Sequence, residues 1–145
     1  MRSRTDETLK YVQFLARRFD KQDVKAVVLI ILLELGFSPS RDGFYYLRNA
    51  ITVDCSDPQK FVSQGLYLSI SEMYHVYSSD KQIEQAIRAA IQAAWEAGDE
   101  ELWTLFFPIP KGGKSKRPSN KEFITRISCI VELWQSCKEA SYERI

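Results

Sequence analysis

Apolar residues recur at steps of three and four along most of the chain, and that spacing predicts helices. Leu9, Val12, Leu15, Ala16 and Phe19 form the first such stripe, behind a cap at Thr5 or Asp6. The second segment, about Gln22 to Leu35, is apolar nearly all round and stops at Gly36, a residue suited to the position just past a helix. Its β-branched run (Val24, Val27, Val28, Ile30, Ile31) is compatible with a strand, but its length and flanks favour a helix, either central or part of a partner interface. After a Pro-containing turn at 37–40, RDGFYYLRNAITVDC puts Tyr46, Leu47, Ala50 and Ile51 on one face of a third helix. Asp57-Pro58 opens a fourth segment, and Leu66 to Tyr74 makes a fifth. His75 to Ser78 is a turn. Ser79 then caps a long helix, with Gln82 at the capping-box position and Ile83, Ala86, Ile87, Ala90, Ile91, Ala94 and Trp95 as its buried stripe. Gly98 ends it, Asp99-Glu100-Glu101 starts a short helix to about Phe107, and Pro108 and Pro110 break that one. A last amphipathic helix, about Ser119 to Ala140, turns Phe123, Ile124, Ile127, Ile130, Val131 and Trp134 inward. Seven or eight helices without a convincing strand predict an all-α, compact multi-helix domain.

Composition narrows the function. A chain of 145 residues is one domain by size and can bury a core without metal or disulfide help. Its 20 basic and 19 acidic residues leave a net charge of +1, so any nucleic-acid site must come from local clustering. One such cluster stands out: Lys111 to Lys121 (KGGKSKRPSNK) carries five cations and no acid. The three cysteines show no C-x-x-C spacing, which fits idle thiols in a reducing cytosol and disfavours a disulfide framework or a zinc site. The longest apolar run, Ala26 to Leu33, is far shorter than the roughly 20 residues that span a bilayer. The expectation is a cytoplasmic protein that does not enter a membrane.

Enzyme chemistry is not legible. His75 is the only histidine and sits in a turn beside aromatics. Gly112-Gly113 lacks the spacing of a phosphate-binding loop, and no nucleophile–base constellation has a signature. Glu96, Asp99, Glu100 and Glu101 read as one helix ending and another beginning. No cofactor and no metal is expected. The positive signal is a helix–turn–helix: Leu66–Tyr74, the turn to Ser78, then Ser79–Trp95. A flexible basic segment near such a helix can neutralise phosphates, although a solvated linker would look the same.

Four blocks carry a more specific likeness. GFYYLRNAI (43–51), LYLSISEMY (66–74), IEQAIRAAIQAAWEAG (83–98) and RPSNKEFI (117–124) resemble, in order, motifs of the C-terminal effector domain of the sporulation master response regulator family (stage zero sporulation protein A). The resemblance spans about Val24 to Leu133. It implies an all-helical domain whose helix–turn–helix reads the major groove of double-stranded DNA, usually as tandem copies. The departures are informative. Where the family carries two arginines and a histidine toward DNA, this sequence has Gln82, Gln85 and Ala89, while Glu84 and Arg88 are kept. Arg pairs with guanine and Gln with adenine, so altered base specificity is expected. The turn between the two helices also looks two residues longer.

These readings divide the chain into an N-terminal helical extension, 1–23, and an effector-like unit, 24–145. Residues 1–23 show none of a receiver domain's acidic pocket, so control by receiver phosphorylation is not expected; the first helix packs on the domain or dimerises. Lys81, Gln82, Gln85 and Arg88 are expected to face bases. Ser78, Ser79, Lys114, Lys116, Arg117, Asn120 and Lys121 are expected at phosphates. Homodimers or tandem dimers on DNA, and a partner regulator, are the candidate assemblies. The rival reading is a protein-interaction module that keeps the scaffold but has lost DNA reading.

Overall fold

The computed structural model describes residues 4–18, 23–56, 80–108 and 116–143. These hold six helices and no strand: α1 (Arg4–Arg18), α2 (Val24–Glu34), α3 (Asp42–Ser56), α4 (Asp80–Ala97), α5 (Glu100–Phe106) and α6 (Asn120–Glu143). The segments expected as helices between Asp57 and Tyr74 lie outside the described residues. None of the described helices is long and apolar enough to cross a membrane.

The ambiguous β-branched run is helical, and its inner side packs into the core. Val27, Val28, Ile31 and Leu32 of α2 are fully buried, and Leu29 and Ile30 pack half-buried against the same core. Leu33 alone of this helix's large apolar residues stays outward, 48 % exposed. Gly36 ends α2 at φ +96°, a left-handed conformation that glycine adopts without strain. The Gly36 amide donates to the Leu33 carbonyl at 3.1 Å and the Phe37 amide to Leu32 at 3.0 Å, the double closure of a Schellman end. Phe37 then turns back into the core, 4 % exposed.

α3 packs on both α4 and α6 and makes the middle of the molecule. Its Leu47, Ala50 and Ile51 are fully buried, with Phe44 nearly so; Tyr46, expected inward, is only half-buried. At the start of α3 a glycine sets the approach to α4: a Cβ on Gly43 would collide with the Ala86 carbonyl and meet Ala90 Cβ at 2.8 Å. A second close contact holds the other end of α4. Gly98 sits against the Leu35 carbonyl, and the Trp103 indole donates to that carbonyl at 2.9 Å. The ends of α2 and α4 and the start of α5 are thereby locked together. Asp99 caps α5 by accepting from the Glu101 amide at 2.9 Å.

α6 supplies the longest buried face. Phe123, Ile124, Ile127, Val131 and Trp134 have no exposed area, and Ile130 has 4 %. The first helix packs on this element and on α5, with Val12 and Leu15 fully buried in the shared core. Tyr11 reaches across to α2, its hydroxyl donating to Glu34 at 2.7 Å. The first helix is therefore packed on the domain, the question its sequence left open.

Candidate nucleic-acid interface

The two faces of α4 separate as a 3.6-residue period requires. Ile83, Ile87, Ala90, Ile91 and Ala94 are buried, and Ala86 and Trp95 are half-buried beside them. Lys81, Gln82, Gln85, Arg88 and Ala89 are all exposed on the opposite side. Ala89 shortens the outward surface between its longer neighbours. Arg88 donates to the Glu84 carboxylate at 3.3 Å, an i,i+4 pair whose side chains are 59 % and 43 % exposed. So open a pair contributes only about 0.3–0.5 kcal/mol, and it holds the guanidinium loosely.

The described part of the basic segment, residues 116–121, lies beside this helix. Pro118 is buried, which anchors the segment, while Lys116 is exposed and Arg117 half-buried. Ser119 caps α6, its hydroxyl accepting from the Glu122 amide at 3.1 Å. Glu84 and Arg88 of α4 line one open groove of about 380 Å³ with Lys116, Arg117, Asn120 and Lys121. Four cations thus share a groove that also holds the carboxylates of Glu84 and Glu122. The structure brings base-facing and phosphate-facing candidates to one surface, although some 28 residues separate Arg88 from Lys116 in sequence.

Not every expected role finds its geometry here. Ser78, Ser79 and Lys114 lie outside the described residues, as does the first helix of the expected helix–turn–helix. Asn120 lines the groove, but its amide nitrogen donates to the Glu84 main-chain carbonyl at 3.0 Å. It links α6 to α4, a contact that nothing in the linear sequence indicated. The cap at Ser119 was more accessible: Ser-Asn-Lys-Glu has the spacing of a capping box.

A match to a known family decides what this surface belongs to. The family model described as Sporulation initiation factor Spo0A C terminal matches residues 28–131. The chain belongs to this family. The Spo0A C-terminal family is one of DNA-binding effector domains in transcription regulation and is not an enzyme family. The match runs from α2 to Val131 of α6, so it includes the whole of α4 and the groove. α1 precedes it.

Proposed function

We propose that the chain is a cytoplasmic, sequence-specific DNA-binding regulator whose base preference differs from that of the family's usual recognition helix. The observation that carries this reading is the groove that puts Arg88 beside Lys116, Arg117 and Lys121. Phosphates are held by the cations of the loop and the start of α6; Asn120, whose amide donates to the Glu84 carbonyl, is not counted among the phosphate ligands. Ser78, Ser79 and Lys114 complete the phosphate set in this reading. Lys81, Gln82, Gln85 and Arg88 face the bases. Arg88 leaves Glu84 at little cost, since the exposed pair is worth a few tenths of a kcal/mol against about 1–3 kcal/mol of discrimination for a bidentate Arg–guanine contact. Gln82 and Gln85 favour adenine by the same geometry. Tandem or dimeric binding on duplex DNA is the expected arrangement.

Substitution tests the division of labour. Arg88→Ala and Gln85→Ala are expected to relax preference at single base positions. Lys116→Ala/Arg117→Ala is expected to weaken every duplex and to lower the slope of log K against log salt by about 2, at roughly 0.9 per phosphate contact. A loop variant with the wild-type salt slope would remove the loop from the interface.

A second reading, a module that pairs with another regulator and no longer reads DNA, draws on the 48 % exposed Leu33 with Leu29 and Ile30 beside it on α2. It predicts stable dimers or hetero-complexes and no DNA shift even at low salt.

A further inference from the structure

We infer that Asn120 is a positioning residue, one that sets the spacing between the base-reading face of α4 and the phosphate-holding segment 116–121. This rests on the proposed DNA-reading function and adds a device to it. Asn120 is the first residue of α6. The turn it belongs to is fixed from both sides: Ser119 caps it through the Glu122 amide, and Phe123 and Ile124 are fully buried one turn on. An amide carried on so fixed a turn has little freedom. It donates at 3.0 Å to the carbonyl of Glu84, 36 residues away and in the second turn of α4.

Glu84 therefore meets both halves of the interface. Its main-chain carbonyl takes Asn120, and its carboxylate takes Arg88 at 3.3 Å. Lys116, Arg117 and Lys121 lie within four residues of Asn120 and share the groove with Arg88. Base readout requires the recognition side chains to be held within roughly 0.5 Å of their productive place while phosphates fix the register. A segment free to slide past α4 could still neutralise phosphates, but it would seat Arg88 and the glutamines out of line. Loss of the tie should cost discrimination and spare the sequence-independent part of binding.

The test compares two duplexes at one low salt concentration: the one the full chain selects from a random library, and a scrambled version of it. For Asn120→Ala the preference ratio is expected to fall about 3- to 10-fold, the scale of one ordinary hydrogen bond, with affinity for the scrambled duplex nearly unchanged. In an Arg88→Ala background the same substitution should lower the ratio by a smaller factor, since one of the side chains being positioned is gone. Asn120→Asp serves as a second variant. It keeps the shape and suits a helix N-terminus, but offers no donor to the carbonyl. Its added charge weakens both duplexes alike, so the ratio remains the readout, and the same fall is expected. Equal weakening of both duplexes by Asn120→Ala would make Asn120 a direct phosphate ligand and overturn the inference. So would an unchanged ratio in both variants. If the wild-type chain itself shows no preference between duplexes, the DNA-reading function fails first and the positioning role falls with it.

Discussion

Gly43 shows how much one missing side chain can decide. It lets α3 approach α4 at Ala86 and Ala90, and a methyl there has nowhere to go but into the Ala86 carbonyl. Gly43→Ala is expected to cost about 1–3 kcal/mol, as overpacking in a tight interior does, and chemical denaturation would measure it. An unchanged midpoint would mean that the two helices separate easily. Asp54 gives a pH prediction. It is only 7 % exposed, and burial raises its pKa, with an interaction with Ser128 offsetting part of the rise. A carboxyl raised in the folded state contributes stability below the ordinary carboxylate range, and that contribution is lost as pH climbs through the raised value. Asp54→Asn removes this titration. It should melt higher than wild type near neutral pH, with the difference shrinking in acid; a difference independent of pH would exclude Asp54 from the response. The same cause acts on Cys55, its thiol pushed up to about 11 chiefly by burial, which lowers its thiolate fraction near neutral pH.

Among the elements, α1 belongs to the packing and not to its margin. Val12 and Leu15 have no exposed area, and Tyr11 is tied to α2 by a hydrogen bond. Leu15→Ala is expected to destabilise by about 2–5 kcal/mol, the range of buried Leu truncations. A loss under about 1 kcal/mol in urea unfolding would show that α1 detaches readily. The periodic elements were readable from sequence: the six inward residues expected on the last helix are all buried, and the expected outward strip of α4 is exposed. Their signal is local, because a 3.6-residue repeat declares its own apolar face. The packing of α1 was not legible, since an amphipathic stripe specifies burial but not against what. The Asn120–Glu84 and Trp103–Leu35 hydrogen bonds were hidden for the same reason, joining residues 36 and 68 positions apart. That Gln82, Gln85 and Ala89 depart from the family's motif could be seen only against that motif, since glutamine and alanine on an outward face are otherwise unremarkable helix residues.

At the scale of the whole molecule, a net charge of +1 gives no general attraction to DNA, so binding must be a property of one surface. The surface proposed for it is the groove where residues 116–121 lie beside α4 and Lys116, Arg117, Lys121 and Arg88 share one lining. Affinity should therefore fall steeply with salt although the chain is nearly neutral. Selection from a random duplex library at low salt, followed by a salt titration of the enriched sequence, tests this account most directly. The expected result is a defined motif with adenines at the positions read by Gln82 and Gln85, and an affinity that drops sharply as salt rises. Weak retention without a motif, insensitive to salt, would contradict it and leave the helix from Asp80 to Ala97 as a scaffold for a protein partner.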